Sequence, residues 1–193
     1  MNTIPRILFF AGSAREDSYN KKLARLAANV GQTAGAAATF ADLRDYPMPL
    51  FDQDLEAREG EPATVTAWKQ LMKDHDAFVI ASPEHNSTYS ALLKNTIDWA
   101  SRKREGEAPR ACFAGKVALL ISASPGNLGG LRGLLNLRAL LANVGVMVMP
   151  DMLAVPAAHQ AFDEAGGLKN QQQQESLSGL IASLVETAGR LKR

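Results

Sequence analysis

The chain has 193 residues, with 21 lysines and arginines against 20 aspartates and glutamates, and one cysteine. A net charge of +1 argues against a nucleic-acid partner held by a basic face, and also against an acidic tail. A single cysteine excludes an internal disulfide. The N-terminal residues do not resemble a signal peptide, and no apolar run is long enough to span a membrane. We therefore expect one soluble domain over residues 1–193, located in the cytoplasm and without a membrane partner.

Short apolar runs alternate with segments of helical spacing. Continuous apolar runs predict buried parallel strands, and they cover residues 7–11, 77–81 and 117–121. Residues 38–43 and 144–149, whose apolar residues are interrupted, are predicted as two further strands. Apolar residues three and four positions apart predict helices, here over residues 20–30, 64–73, 90–102, 128–143 and 177–191. The glutamine tract 171–174 is expected to be the solvated start of the last helix. This alternation predicts an α/β fold, a doubly wound five-stranded parallel sheet with helices on both faces.

In such a sheet, ligands bind at the carboxyl ends of the strands, so the segments after strands one, three and four are candidate sites. The first segment begins at Gly12 and carries hydroxyl, guanidinium and amide groups on Ser13, Arg15, Ser18, Tyr19 and Asn20. Hydroxyls and a cation beside a helix N-terminus suit a phosphate. An ordinary capped turn uses the same residue types, so both interpretations stay open.

Two familiar nucleotide loops are missing from the sequence. There is no G-x-x-x-x-G-K-[ST] motif, which disfavours a P-loop NTPase. There is also no G-x-G-x-x-G after the first strand, which disfavours a dinucleotide site of the Rossmann type. A loop that binds a single monophosphate through hydroxyl groups fits this sequence better.

The second segment follows the third strand and is almost entirely polar. It contains Pro83, Glu84, His85, Asn86 and Ser87. Backbone and amide groups in such a cluster can hydrogen-bond a planar heterocycle. Pro83, however, can equally do no more than end a strand. His85 also suggests a metal ligand, but His75, His159 and Cys112 lack the spacing of a ligand set. We therefore expect no metal site.

The third segment follows the fourth strand as a glycine-rich turn. It includes Ser124, Gly126, Gly129 and Gly130 and leads into another predicted helix. Glycines allow the backbone to approach a ligand closely, but they also suit a flexible turn before a helix. The turn is weak evidence alone, and its position at the same sheet edge as the other two segments strengthens it.

Together the three segments resemble the NADPH-dependent FMN reductase family, the flavodoxin-like group that includes quinone and chromate reductases. The first resembles the family's G-S-x-R-x-x-S-x-N loop at Gly12, Ser13, Arg15, Ser18 and Asn20. The second resembles P-E-Y-N…L-K-N-x-I-D-W at Pro83, Glu84, Asn86, Leu93, Lys94, Asn95, Ile97, Asp98 and Trp99. The third resembles S-x-G-x-x-G-G at Ser124, Gly126, Gly129 and Gly130, and residues 46–54 resemble the loop after strand two. The likeness covers most of residues 5–150. His85 replaces the usual tyrosine, and Ser90-Ala91 replaces a common Pro-Gly pair.

The resemblance implies a flavodoxin-like fold that binds FMN and is reduced by NADPH or NADH. FMN would set its phosphate on Ser13, Arg15, Ser18 and Asn20, and its ring against Glu84, His85, Asn86 and Ser87, with Ser124 nearby. Tyr19, Pro83 and Gly126 are the other residues expected to bind the cofactor. Hydride would pass from NADPH to the flavin and then, in a ping-pong cycle, to a quinone, free flavin or similar acceptor. No catalytic side chain is required. The resemblance also implies a homodimer or homotetramer.

Three alternatives remain open at this stage. An electron-carrier flavodoxin would bind FMN without oxidising NADPH, although such carriers present an acidic face and this chain is balanced in charge. A flavodoxin-like interaction protein that has lost FMN is the second alternative, suggested only by His85 and Ser90-Ala91. The third concerns the basic residues 102–104, which either contact the 2′-phosphate of NADPH or form a solvated loop.

Overall fold

The computed structural model describes residues 4–191 as eight strands and seven α-helices. The strands are β1 (Arg6–Ala11), β2 (Ala37–Ala41), β3 (Ala77–Ala81), β4 (Glu84–His85), β5 (Thr88–Tyr89), β6 (Val117–Ala123), β7 (Met147–Val148) and β8 (Leu153–Val155). The helices are α1 (Tyr19–Thr33), α2 (Gln53–Glu59), α3 (Ala63–Lys73), α4 (Ala91–Ser101), α5 (Leu131–Asn143), α6 (Ala158–Ala161) and α7 (Gln171–Leu191). Within this part of the chain, no helix has both the length and the apolar character that a bilayer crossing requires.

Six strands form one parallel sheet in the order β2-β1-β3-β6-β7, with β8 also pairing with β6. Because β7 and β8 pair with successive parts of β6, they share the fifth position. The order is then 2-1-3-4-5, which is that of flavodoxin-like sheets. β4 and β5 form a separate antiparallel hairpin. The predicted fold class is confirmed.

Each central strand contributes to two apolar layers, because successive side chains of a strand point to opposite faces. In β1, Ile7 and Phe9 pack in the layer formed with α1 and α7. Leu8 and Phe10 pack in the opposite layer, formed with α3, α4 and α5. Burial on both faces explains why the central strands read as continuous apolar runs.

The strand predicted over residues 144–149 is wrong in extent. Gly145 has a φ of +94° directly after α5, so the first residues of that segment turn rather than extend. Pro150 has no N–H to give to a ladder and lies between β7 and β8. The helix predicted from residue 128 begins at Leu131, because Gly129 and Gly130 both have positive φ.

Two features of the connections were not predicted. Helix α2 has no buried residue, so it lacks an apolar stripe, and its start is marked only by Asp52, whose carboxylate accepts from the amides of Asp54 and Leu55. The β4–β5 hairpin turns at Asn86 and Ser87, with φ of +50° and +68°, as a two-residue turn of the primed type requires. Residues 171–174 form the first turn of α7, as predicted.

Candidate functional site

The segments that follow β1, β3 and β6 meet around a cavity of about 280 Å³ at the carboxyl edge of the sheet. It is lined by Ser13, Arg15, Ser18, Tyr19, Asn20, Pro83, Glu84, His85, Ala123, Ser124 and Pro125. Of the predicted site residues, only Asn86, Ser87 and Gly126 are not among those lining it. The topology thus gathers most of the candidate residues in one place.

One wall of the cavity, residues 12–20, offers donors suited to an anion. Ser18 caps α1, and its hydroxyl accepts from the Lys21 amide at 3.4 Å. The Arg15 guanidinium donates to the Asp17 carbonyl at 3.0 Å and lies 5.8 Å from the centroid of the Tyr19 ring. The first amides of any α-helix have no acceptor within that helix, and its N-terminus carries partial positive charge. This wall can therefore hold a phosphate.

Asn20 lies in the same wall but is committed to the scaffold. Its side chain is buried, its Nδ2 donates to the Ala123 carbonyl at 2.9 Å, and its Oδ1 accepts from the Ala123 amide at 3.0 Å. The two bonds fasten the start of α1 to the end of β6. Asn20 therefore shapes this wall of the cavity, and its Nδ2 and Oδ1 each already form a hydrogen bond within the chain.

The opposite wall is formed by the β4–β5 hairpin, where Glu84 is tied to α5. Its Oε1 accepts from Arg132 Nη2 at 2.6 Å, and its Oε2 accepts from the Gly133 amide at 3.0 Å. Burial by itself would raise the pKa of Glu84, but the hydrogen bonds from Gly133 and Arg132 outweigh burial and hold its pKa below the ordinary value. Glu84 is therefore an anion with its acceptor oxygens in use.

His85 is exposed and lines the cavity from the same hairpin. The turn residues Asn86 and Ser87 are also exposed, and the Ser87 carbonyl accepts from Asn136 Nδ2 at 2.9 Å. Among residues 4–191, no three His, Cys, Asp or Glu side chains come together where they could hold a metal ion. His85 thus stands at the cavity without partners of the kind that ligate a metal.

Ser90, at the position where the family often has proline, closes the base of the hairpin. Its hydroxyl donates to the Gly12 carbonyl at 2.6 Å and accepts from the Leu93 amide at 3.1 Å, which caps α4. A Cβ on Gly12 would lie 3.0 Å from the Leu93 Cβ, so a side chain there would press on α4. Ser90 therefore fixes the end of β1 against the start of α4.

The glycine-rich turn after β6 approaches its own chain. Gly129 has a φ of +60°, and a Cβ there would lie 2.7 Å from the backbone of Val155 and Pro156. Gly130 has a φ of +94°, and a Cβ there would lie 2.7 Å from Ser122 Oγ. These glycines therefore allow the turn to pass close to β6 and to the end of β8. Their presence does not require a ligand.

The block at residues 93–99 anchors the loop that follows β2. Asn95 donates to the Pro49 carbonyl at 2.9 Å and accepts from the Phe51 amide at 2.8 Å, and Trp99 Nε1 donates to the same Pro49 carbonyl at 2.8 Å. The rings of Phe51 and Trp99 meet edge to face with centroids 5.0 Å apart. Leu50, held between these two anchors, is 80% exposed. The family block is thus a scaffold for a rigid loop.

The arginines of the basic loop 102–104 are paired within the chain. Arg102 lies 2.7 Å from Glu56, and Arg104 lies 3.4 Å from Glu61. Hydrogen bonding to Glu56 raises the pKa of Arg102 despite the opposing effect of burial. A cofactor phosphate would have to compete with these carboxylates for Arg102 and Arg104, whereas Lys103, between them, is exposed.

Comparison with known proteins gives concordant matches. Residues 5–160, which include every residue lining the cavity, match a family described as NADPH-dependent FMN reductase. The chain is 30% identical over 189 residues to a quinone reductase of Escherichia coli K12, with 97% of both proteins covered. It is 32% identical over 190 residues to an NAD(P)H-dependent FMN reductase of Pseudomonas aeruginosa, again with 97% of both covered. FerB, a flavoenzyme NAD(P)H:(acceptor) oxidoreductase from Paracoccus denitrificans, superposes with a TM-score of 0.81 at 27% identity, covering 97% of this chain and 98% of that one.

Proposed function

The chain belongs to the NADPH-dependent FMN reductase family, and from this premise we propose that it is an FMN-dependent NAD(P)H oxidoreductase that reduces quinones, free flavin or similar acceptors. The family predicted from the three motifs is thereby confirmed. The single observation that carries the proposal is the convergence of an anion-binding loop and a rigid hairpin on one cavity. Relatives covered over nearly their whole length are named quinone reductase and FMN reductase, which supports the choice of acceptors.

The chemistry of the cavity fits FMN. The dianionic phosphate needs cationic and N–H or O–H donors, and the wall at 12–20 supplies the Arg15 guanidinium, the Ser13 and Ser18 hydroxyls and the first turn of α1. At about 280 Å³ the cavity is smaller than the roughly 300–1,000 Å³ typical of pockets for drug-sized ligands. A molecule as large as FMN therefore extends beyond it, which suits a ring that must meet two substrates in turn.

We assign the phosphate to Ser13, Arg15, Ser18 and the backbone at Tyr19 and Asn20. Arg15 is exposed, and its present acceptor is a main-chain carbonyl, so its guanidinium can turn to a phosphate without leaving a buried group unpaired. The Asn20 side chain acts indirectly, because its bonds to Ala123 hold the first turn of α1 in place.

We assign the ring to the wall formed by Pro83, Glu84 and His85, with Ser124 at its edge. Bound FMN supplies the hydride chemistry, and the protein supplies orientation and electrostatics. Pro83 and the hairpin backbone give a firm surface for a planar ring, and His85 offers an imidazole beside it. Asn86, Ser87 and Gly126 remain proposed contacts only for the part of the ligand that extends beyond the cavity.

The activity is tested by steady-state oxidation of NADPH with the purified protein, FMN and a quinone. We expect NADPH consumption that depends on both FMN and quinone, with parallel double-reciprocal lines as a ping-pong cycle requires. An electron-carrier flavodoxin would bind FMN but leave NADPH unoxidised. A protein that has lost its cofactor would fail already at FMN binding. Either result would overturn the proposal.

Self-association is a further part of the proposal, and a homodimer or homotetramer is its predicted form. Helix α5 and the turn before it expose a stripe of leucines, of which Leu128 is 51%, Leu131 39% and Leu135 53% exposed. A net charge of +1 offers little repulsion between copies. Light scattering after size exclusion should give a mass of two or four chains, and Leu135→Glu should lower it. A monomeric wild type would contradict this part.

The cytoplasm is the compartment we propose for this reaction. Cys112, the lone cysteine, is fully buried, and burial raises the pKa of its thiol to about 11. The thiol is therefore neutral and unreactive, as befits a protein that uses no disulfide chemistry. Fractionation of the native host should recover the protein with cytoplasmic markers.

A further inference from the structure

The hairpin that forms the ring wall is held against α5 along its length. Glu84, at its start, bonds to Arg132 and to the Gly133 amide, and the Ser87 carbonyl at its turn accepts from Asn136. A Cβ on Gly133 would lie 3.2 Å from the Thr88 carbonyl oxygen and 3.3 Å from the Glu84 Cβ. The hairpin therefore lies directly on the first turns of the helix, and a side chain at this position would push the hairpin back by a few tenths of an ångström.

Glu84 is the strongest of these attachments. Its side chain is 9% exposed, its Oε1 accepts from Nε and Nη2 of Arg132 at 2.9 and 2.6 Å, and its Oε2 accepts from the Gly133 amide. Both oxygens are thus engaged by residues at the start of α5. Hydrogen bonds to charged groups are stronger than those between neutral groups, so this contact can set where the hairpin rests.

We propose that Glu84 is a positioning residue for the flavin ring, acting through its contact with Arg132 and Gly133. By fixing the hairpin on α5, the carboxylate fixes the backbone of Pro83 and His85, which line the cavity. This role rests on the proposed function, namely that the cavity binds FMN. It differs from the role that the motif implies, in which Glu84 contacts the cofactor itself.

The start of α1 and the hairpin are held in the fold by different hydrogen bonds, so they should respond separately to substitution. Loosening the hairpin should weaken binding of the ring and leave the start of α1 in place, since Asn20 is fastened to Ala123. Loss of Glu84 should therefore weaken FMN and riboflavin, which lacks the phosphate, by the same factor. A variant of the phosphate wall should weaken FMN alone.

The experiment titrates apoprotein with FMN and with riboflavin, following flavin fluorescence, for the wild type, Glu84→Ala, Glu84→Gln and Glu186→Gln. We expect Glu84→Ala to raise both dissociation constants by about tenfold, in equal proportion. Glu84→Gln can still accept from the Gly133 amide and should show a smaller rise. Glu186→Gln is the control, because it removes a carboxylate from an exposed ion pair with Arg190 on α7.

Hydrogen exchange of the hairpin and Gly133 amides provides a second measurement, in which protection should fall in Glu84→Ala. If that variant does not fold, Arg132→Ala removes the partner instead, and Arg132→Lys should restore part of the affinity. Unchanged affinity for both flavins in a variant whose hairpin has lost protection would overturn the role of Glu84 alone. A loss confined to FMN would also overturn it. A wild type that binds neither flavin would refute the proposed function, and this role with it.

Discussion

The two walls of the cavity use their polar groups in different ways. In the wall at 12–20, Arg15 is exposed and bonds only within its own loop, so it is available to a ligand. In the hairpin wall, Glu84 and Ser90 are engaged by distant parts of the chain. We propose that the first wall supplies affinity and the second supplies rigidity, so the two walls should respond differently to substitution. Changes in the first should alter ligand binding, whereas changes in the second should alter the scaffold and binding through it.

Asn20 is an exception, because it belongs to the wall at 12–20 but serves the scaffold. Its substitution should have the largest effect, which is on the stability of the apoprotein. It lies in the wall at 12–20, but its side chain bonds to the backbone N–H and C=O of Ala123. Asn20→Ala leaves a buried N–H and a buried C=O without partners, which should lower the free energy of unfolding of the apoprotein by about 2–4 kcal/mol. Urea denaturation measures this, with Asn29→Ala, at an exposed position on the same helix, as the control. Wild-type stability in Asn20→Ala would assign Asn20 to ligand binding instead.

Substitution of Arg15 tests directly whether the wall at 12–20 binds the phosphate of FMN. Arg15→Ala should weaken FMN binding by about 1.5–3 kcal/mol, the range for a hydrogen bond to a charged group, and should leave apoprotein stability nearly unchanged. The measurement is the FMN dissociation constant from a fluorescence titration. Arg25→Ala is the matched control, since Arg25 is also exposed but lies in the middle of α1 and stacks on Phe40, 4.0 Å from its ring centroid. An unchanged dissociation constant would remove Arg15 from the phosphate site.

Glu107, which forms an ion pair with Lys73, is another polar group that stabilises the scaffold, as those of the hairpin wall do. The Lys73 hydrogen bond is the largest influence on it, and, against the opposing effect of burial, its partners bring the pKa of Glu107 down to about 2. Because the folded pKa lies below the unfolded value, Glu107 stabilises the fold above about pH 5, and this contribution is lost as the pH falls toward 2. The difference in unfolding free energy between wild type and Glu107→Gln should therefore shrink with acid. A difference independent of pH would contradict the pairing.

Arg104 should give the smallest effect on the reaction. Because Arg104 already pairs with Glu61, whose side chain is only 7% exposed, Arg104→Ala should change the KM for NADPH by less than about twofold. Lys169→Ala, at an exposed lysine outside the loop, is the control. A tenfold rise in the KM for NADPH, with kcat unchanged, would restore the loop as the contact for the 2′-phosphate.

The central strands were predictable because they are buried on both faces, which leaves a continuous apolar run in the sequence. The fifth strand was predicted in the right part of the chain but not in its extent, since β7 and β8 are only two and three residues long and are separated by Pro150. Helix α2 was missed for a related reason. It buries nothing, so no periodic stripe marks it.

The positions of the residues that line the site could be predicted from the sequence, but the contacts that each of them makes could not. Sequence motifs place Asn20 and Glu84 beside a ligand, and both do line the cavity. Their partners, Ala123 and Arg132, lie far along the chain, at separations of 103 and 48 residues. No local pattern reveals such pairings, so a residue that supports the site and one that contacts the ligand look alike in sequence.

The most direct test of the account is a titration of the wild-type apoprotein with FMN and with riboflavin. If the first turn of α1 and Arg15 receive the phosphate, FMN should bind one per chain and about 100-fold or more tighter than riboflavin, because charge-assisted hydrogen bonds to the phosphate are lost in riboflavin. Equal dissociation constants for the two flavins would contradict the account, since the wall at 12–20 would then have no part in binding the cofactor.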